Sequence, residues 1–285
     1  MSAQLINRSP DLLRLREEGH DIVIVADHLV VRSVPYVDVG RNIRLGSLVS
    51  ELTLADDCTT RPGTHVMHFI GEYVLDQVAK TPVGTIDLFD PKVFLQHNAF
   101  RSPGAASRED LAKKPFKTDY YRGVYSQMHR GINSHPVALT DENLHLLDGV
   151  DFVFLCLDAG KAKAAIIKKL ELDGVSFVDV GMGIELVNDE LIGIVRLTTS
   201  TPRMRRHVHE KNRIPLQGDG EDNLYDTNIQ TADLNMWNAA MAVMKWKKIY
   251  RVYMDMEGEH FTALTIDGNH LLNEDNEPEE DGDVA

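Results

Sequence analysis

Residues 85–101, TIDLFDPKVFLQHNAFR, form the stretch that decides how this chain is interpreted. Its first residues are mostly apolar and predict a strand buried in an open parallel sheet. Ligands of such sheets bind beyond the carboxyl ends of the strands, which is where Asp90 follows. Asn98 and Arg101 come shortly after, and both side chains can donate hydrogen bonds to phosphates. The stretch therefore predicts a binding site for a phosphate-bearing ligand, with Asp90 placed to hold a ribose.

From Tyr73 onward, helices alternate with apolar strands, a pattern typical of βαβ units around a mostly parallel sheet. The predicted helices are 73–80, 116–129, 140–149, 161–172 and 229–250, and the predicted strands are 85–90, 136–139, 151–156, 175–180, 184–187, 191–198 and 261–266. Asn188 and Asp189 separate two of these strands and predict an antiparallel hairpin near the end of the sheet. Residues 202–228 are polar and predict a long loop. The fold class is thus α/β.

The two ends of the chain have their own patterns. Residues 1–71 predict a small α+β module, with a helix after Ser9, a hairpin around residues 26–28 and two further short strands at SLVSELTL and VMHFI. Residues 72–270 form the predicted main domain. The last twelve residues carry seven acidic and no basic side chains, so residues 271–285 predict a disordered acidic tail.

Composition excludes several classes of protein. The chain has 285 residues, of which 43% are hydrophobic and 26% charged, as in ordinary globular proteins. A net charge of −14 argues against nucleic acid as a partner. No apolar run reaches the roughly 18 residues that span a bilayer, and the N-terminus lacks the apolar core of a secretion signal, so we expect a cytoplasmic protein without a membrane partner. Two cysteines, Cys58 and Cys156, are too few for a zinc tetrad; we expect Cys58 exposed and Cys156 buried.

Two further residues extend the predicted site. Lys117 lies in KKPFK, and Asp158 follows the apolar strand FVFLC. A carboxylate at a strand end can hold Mg²⁺ beside nucleotide phosphates, while a lysine neutralises charge on the phosphates. Each residue also has a simpler interpretation: Asp158 could cap the next helix, Lys117 could be a solvated surface charge, and Asn98 and Arg101 could hold a loop.

In their order and spacing, these residues resemble the ThiF/MoeB family, the adenylyltransferase domain shared with ubiquitin-activating enzymes. The resemblance runs from Tyr73 to about Ile266. The family pattern D-x-D, N-x-x-R, Lys, C-x-D is represented by Asp90-Pro91-Lys92, Asn98-Ala99-Phe100-Arg101, Lys117 and Cys156-Leu157-Asp158. Residues 1–71 also resemble an uncharacterised N-terminal domain that precedes some bacterial members. The resemblance implies a Rossmann-like, ThiF-type sheet.

The resemblance also implies a reaction. Family members use ATP to adenylate the C-terminal carboxylate of a ubiquitin-like or sulfur-carrier protein, releasing pyrophosphate. By this resemblance Asp90 binds the ribose, Asn98, Arg101 and Lys117 bind the phosphates, and Asp158 binds Mg²⁺, with Arg101, Lys117 and Asp158 catalytic through charge neutralisation and alignment. We further expect a homodimer formed through the apolar helix 229–250 and the sheet edge.

The sequence departs from the family pattern in three places. The family opens with a strand and a G-x-G-G-x-G turn that cradles phosphates, whereas VMHFIGEYVLDQVAK contains Gly71 alone, followed by the acidic Glu72. VMHFI could replace the missing strand but not the glycine cradle. Lys92 stands where the family has its second acid, and no cysteine follows the hairpin as a thioester nucleophile. A non-catalytic scaffold or binding partner that kept the fold is therefore the alternative to an enzyme.

Overall fold

The computed structural model describes residues 71–81, 83–216 and 229–277, together with the backbone of strands at 24–25, 28–29 and 65–69. The strands are β1 (Ile24–Val25), β2 (His28–Leu29), β3 (His65–Phe69), β4 (Thr85–Phe89), β5 (Ile132–His135), β6 (Phe152–Leu155), β7 (Ser176–Val187), β8 (Glu190–Ser200), β9 (Glu259–Thr265) and β10 (His270–Asn276). The helices are α1 (Glu72–Val78), α2 (Gln96–Ala99), α3 (Arg108–Lys113), α4 (Lys117–Tyr125), α5 (Lys161–Leu172), α6 (Arg206–Glu210) and α7 (Ala232–Ile249), with a 3₁₀ turn at Leu144–Leu147. Within these ranges, no helix is both long and apolar enough to cross a membrane.

Eight strands form one sheet in the order β10-β9-β8-β7-β6-β3-β4-β5. The strands from β7 to β5 run parallel to their neighbours, whereas β8, β9 and β10 pair antiparallel. The predicted α/β class, with a mostly parallel Rossmann-like sheet that ends in antiparallel strands, is confirmed.

Strand β3 lies at the centre of the five parallel strands, with two on each side. Its residues pair with β4 on one side, Val66 opposite Ile86, and with β6 on the other, Val66 opposite Phe152. The sequence assigns this VMHFI strand to the 1–71 module, but the structure builds it into the large sheet. Two residues then lead from β3 into α1. His65–Phe69, which contains the first four residues of VMHFI, therefore occupies the position of the first strand of the parallel sheet.

Both faces of the parallel strands are covered. Along β6, Phe152 and Phe154 join one buried cluster that includes Trp246 of α7, while Val153 and Leu155 join a second cluster that includes Ile166 of α5. Because side chains alternate between the two faces of a strand, this division places helices on both faces of the sheet.

The predicted hairpin is confirmed and is longer than expected. Asn188 and Asp189 form its turn, with φ angles of 51° and 66° in the left-handed region that such tight turns require. The sequence predicts separate strands at 175–180 and 184–187. The structure has one continuous strand instead, because the pairing of β7 with β8 extends without a break from Phe177 opposite Ser200 to Val187 opposite Glu190.

Several other boundaries differ from prediction. Strand β5 lies four residues before the predicted strand 136–139. The predicted helix 140–149 is reduced to the 3₁₀ turn, and the predicted loop 202–228 contains α6. The hairpin expected around residues 26–28 is present as β1 and β2, with Val25 opposite His28. The predicted helix after Ser9, the strand SLVSELTL and Cys58 lie outside the described residues.

The C-terminal acidic segment differs most clearly from its predicted structure. Where the sequence predicts a tail from residue 271, the structure has β10 paired along β9. Asp275 forms ion pairs with Lys211 and Arg213, and Glu274 pairs with Arg213. Basic side chains from the loop after α6 thus neutralise acids that in the sequence have no basic neighbour.

Candidate functional site

The turn between β3 and α1 packs directly against the end of β6. A Cβ added to Gly71 would lie 2.6 Å from Sγ of Cys156, so only glycine fits this approach. Burial raises the pKa of the Cys156 thiol, and the negative charges of Asp179 and Glu72 raise it further. The thiol is therefore kept protonated and packs as a small apolar group.

Lys117, at the first position of α4, joins this turn to the end of β4. Its Nζ lies 3.4 Å from Glu72 Oε1 and 3.7 Å from Asp90 Oδ2, and its side chain is only 9% exposed. Asp90 uses its other oxygen to accept a 2.7 Å hydrogen bond from the backbone N–H of Lys92. The structure thus brings together the predicted Asp90 and Lys117 and places Glu72 against the same ammonium group.

Asn98 and Arg101 occupy the short α2 region that follows. Asn98 is buried, and its Oδ1 accepts a 3.0 Å hydrogen bond from the backbone N–H of Leu95. Its carbonyl oxygen accepts hydrogen bonds from Ser102 Oγ and from the N–H of Arg101. Asn98 therefore holds the turn that presents Arg101.

Burial lowers the pKa of the neighbouring His97, and the positive charges of Arg101 and Lys117 lower it further.

Asp158 lies beyond the carboxyl end of β6 and is half exposed. Its Oδ2 is 3.9 Å from Nζ of Lys92. Lys92 stands where the ThiF/MoeB pattern has its second acid. The alternative interpretation of Asp158 as a helix cap does not hold, because α5 begins after Gly160 without any side-chain capping bond. Among the described residues, no three His, Cys, Asp or Glu side chains are grouped closely enough to hold a metal ion by themselves.

A cavity of about 430 Å³ opens beside Asp158, between the end of β6, the middle of β7 and the helices α1 and α7. Its polar lining includes Glu72, Asp158, Lys163, Arg196 and Asn238. Asp158 is the one predicted site residue on its wall, and Lys163, Arg196 and Asn238 carry no site motif in the sequence.

A buried ion-pair network forms the floor of the cavity. Asp179 of β7 is completely buried, and its two carboxylate oxygens face Lys163 of α5 and Arg196 of β8. Lys163 also donates a 2.9 Å hydrogen bond to the carbonyl of Leu157. Two cations share one carboxylate, so this end of the cavity carries a net positive charge. The sequence signal for the network is an acid within the apolar run SFVDV, where an unpaired charge would be costly.

Most cations of the site are paired with protein carboxylates. Apart from Arg101, each cation named above pairs with an acid: Lys92 with Asp158, Lys117 with Glu72 and Asp90, and Lys163 and Arg196 with Asp179. An anionic ligand must therefore compete with protein carboxylates for these groups.

Comparison with known proteins supports the fold and leaves the chemistry open. A family model described as "Domain of unknown function (DUF6791)" matches residues 10–139. No curated protein matches the sequence.

Solved structures with this fold are found at low sequence identity. The structure of PaaA shares 15% identity, with a TM-score of 0.61 over 95% of this chain and 94% of PaaA. MccB of E. coli, solved with AMPCPP and MccA, shares 14% identity with a TM-score of 0.57 over 77% of this chain. MccB solved with ATP gives 13% identity, a TM-score of 0.58 and 82% coverage of this chain. The chain spans 66% of MccB in the AMPCPP complex and 70% in the ATP complex. These similarities show that the chain shares the fold of PaaA and MccB.

Proposed function

We propose that this protein is an E1-like adenylyltransferase that uses ATP to activate the C-terminal carboxylate of a peptide or a small ubiquitin-like or sulfur-carrier protein. One observation carries the proposal. Asp90 and Asp158 follow the carboxyl ends of β4 and β6, the two strands that flank β3, and Lys117 at the start of α4 pairs with Asp90. The fold is shared with MccB, which was solved with ATP and with the peptide MccA.

The reaction requires alignment and charge neutralisation. A carboxylate oxygen of the substrate attacks the α-phosphorus of ATP, the bond to the β-phosphate oxygen breaks, and pyrophosphate leaves with the bonding electrons. Lys117 and Arg101 are the cations that neutralise the phosphates, and Asp90 holds the ribose. Asn98 orients the backbone of Arg101.

Mg²⁺ fits the donor set at Asp158. Mg²⁺ is commonly held by one or two carboxylates together with substrate phosphates, and the Asp158 side chain is 49% exposed. Bound there, the ion would polarise phosphate oxygens and neutralise charge on the leaving pyrophosphate. Lys92 would release Asp158 on binding, since their pairing is long and solvated.

A second candidate function is favoured by Glu72. Its carboxylate faces Lys117 in the turn that would approach the phosphates, so it both occupies the lysine and repels an anion. With a single glycine in that turn, fewer backbone N–H groups face a ligand. A non-catalytic protein that binds a partner through this fold is consistent with these features.

Two measurements on the full-length chain separate these functions. The first is thermal stabilisation by Mg·ATP, and the second is exchange of labelled pyrophosphate into ATP with a pool of peptides bearing free C-termini. Asp158→Ala is the test variant, and Asp141→Ala, an exposed aspartate outside the site, is its matched control.

If the protein is an adenylyltransferase, ATP at 100 times its dissociation constant should raise the free energy of unfolding by roughly 2.7 kcal/mol. This function also predicts exchange that Asp158→Ala reduces about 100-fold and Asp141→Ala leaves unchanged. Absence of both signals in the wild-type protein would favour the non-catalytic function. Equal signals in the two variants would remove Asp158 from the site.

The exposed face of α7 supports the predicted homodimer. Met236, Trp237 and Met244 are each about half exposed, although they belong to an apolar helix. Light scattering after size exclusion should give twice the mass of 32.0 kDa for the wild type and the monomer mass for Trp237→Glu. A monomeric wild type would contradict this arrangement.

A further inference from the structure

The main chain of Lys92 is fixed between two residues of the candidate site. Its N–H donates a 2.7 Å hydrogen bond to Oδ1 of Asp90, and its carbonyl accepts a 3.0 Å hydrogen bond from the N–H of Lys117. The next residue, Val93, forms an isolated β-bridge with Phe116. The side chain of Lys92 therefore starts from a defined position beyond the end of β4.

From this position the side chain extends toward the β6 side of the sheet. Strand β3 separates β4 from β6, and neighbouring strands lie about 4.8 Å apart, so the two strands are about 10 Å apart. On the β6 side, Nζ of Lys92 comes within 3.9 Å of Oδ2 of Asp158. Lys92 thus bridges the two strand ends where the chain turns from β3 into α1.

The phosphates of a bound nucleotide would follow the same path. In the proposed function, Asp90 holds the ribose on the β4 side, and Mg²⁺ at Asp158 contacts the phosphates on the β6 side. A phosphate chain that joins these points crosses the end of β3, as the side chain of Lys92 does. The turn at this place has one glycine and carries Glu72, whereas an ammonium group offers three N–H donors.

Lys92 is also easier to redirect than Lys117. The Lys117 side chain is 9% exposed and is shared by Glu72 and Asp90. The side chains of Lys92 and Asp158 are 50% and 49% exposed, and exposed pairs of this kind contribute little to stability. A phosphate can therefore take the Lys92 ammonium from Asp158 at little cost.

We propose that Lys92 binds the phosphates of the nucleotide and that it leaves Asp158 to do so. In the free protein its ammonium neutralises Asp158, and in the complex it neutralises phosphate oxygens while Asp158 becomes available to Mg²⁺. The inference rests on the proposed function for the positions of the ribose and Mg²⁺. It adds a phosphate-binding residue at the one position where the sequence has a base in place of an acid.

The first test compares binding of ATP with binding of adenosine, which lacks the phosphates. Labelled ligands are dialysed to equilibrium against the full-length chain in buffer with Mg²⁺. Lys92→Gln removes the ammonium, and Lys92→Arg keeps the positive charge. Lys80→Gln is the matched control, because Lys80 is 54% exposed, pairs with Asp76 and lies past the far end of α1, about 12 Å along the helix from the turn. Melting temperatures establish that each variant is folded.

The second test examines the exchange of partners by replacing Mg²⁺ with EDTA. Without the metal ion, Asp158 still competes with ATP for Lys92. Asp158→Asn should therefore tighten ATP binding about threefold, and the same substitution added to Lys92→Gln should give no such gain. A gain of equal size in both backgrounds would contradict the exchange, because it would reflect only the removal of a negative charge.

With Mg²⁺ present, we expect Lys92→Gln to bind ATP about tenfold more weakly and to leave retention of adenosine unchanged, and Lys92→Arg to restore most of the affinity. Failure of the wild type to bind ATP, an equal loss in Lys80→Gln or an unchanged ATP affinity in Lys92→Gln would overturn the inference.

The outcomes also separate this inference from the proposed function. A tenfold loss in Lys92→Gln without pyrophosphate exchange in the wild type would support the role of Lys92 and count against adenylation. Pyrophosphate exchange together with an unchanged ATP affinity in Lys92→Gln would do the reverse.

Discussion

Replacing Glu72 by glutamine tests whether the β3–α1 turn inhibits nucleotide binding. At an effective dielectric constant of about 20, Coulomb's law gives about 5 kcal/mol for Glu72 at 3.4 Å from Lys117, and about 4.5 kcal/mol for Asp90 at 3.7 Å. Glu72 thus supplies about half of the gross attraction on the ammonium. Glutamine keeps the shape of the side chain and leaves Lys117 paired with Asp90.

The freed half of this attraction becomes available to the phosphates of ATP. Most of the gross energy is offset by desolvation, so we expect the binding free energy of Mg·ATP to improve by about 1.4 kcal/mol. This corresponds to a tenfold lower dissociation constant. Isothermal titration calorimetry measures this constant directly. Glu109→Gln makes the same charge change on an exposed residue of α3 and should leave the affinity unchanged.

An unchanged or weaker affinity in Glu72→Gln would refute the reasoning, since it would mean that Glu72 does not compete with the phosphates. An equal gain in Glu109→Gln would attribute the effect to the overall charge of −14 rather than to the turn. Titration in raised salt distinguishes these cases further, because screening weakens distant charges more than buried pairs.

Three further predictions concern stability. In urea unfolding, Gly71→Ala should lower the free energy of unfolding by about 1–3 kcal/mol, because the added methyl group overpacks the turn. Gly123→Ala, which adds a methyl group in open space on a helix, should raise it by about 0.5–1 kcal/mol. Lys163→Met should cost about 3–5 kcal/mol by leaving Asp179 short of a partner, and adding Asp179→Asn should recover part of it; no recovery would contradict the pairing. Burial lowers the pKa of His260 to about 4, so the unfolded chain binds the extra proton, and stability should fall by about 2 kcal/mol from pH 7 to pH 5; His260→Gln should flatten this slope.

Local patterns in the sequence explain which elements were predicted well. Helix 161–172 matches α5 at both ends, because a clear apolar period lies between a glycine before the helix and a glycine after it. Strand β5 was misplaced because its sequence, INSH, is polar. Its pairing depends on distant partners: His135 lies 2.7 Å from Asp87 and stacks on Phe89 with ring centroids 4.4 Å apart. Such tertiary contacts override local propensity.

The site residues also divide into those that the sequence predicts and those that only the fold reveals. Asp90 was predictable because the carboxyl ends of parallel strands converge, and the structure pairs it with Lys117 at the start of α4. The acid in the apolar run SFVDV indicates a buried charge, but its partners Lys163 and Arg196 come from a helix and a strand that are separate in the chain, so only the fold reveals the pairing. Glu72 was visible in the sequence as an anomaly, but its contact with Lys117 required the fold.

The central position of β3 restricts where this chain can be divided. A fragment that began at residue 72 would keep every element from α1 onward but would lose the strand that joins β4 to β6. Two parallel edges would then be left open in the middle of the sheet, and open edges recruit other chains. Recombination between gene modules can thus separate the N-terminal region from the rest only upstream of His65, and shorter fragments intended for expression should respect the same limit.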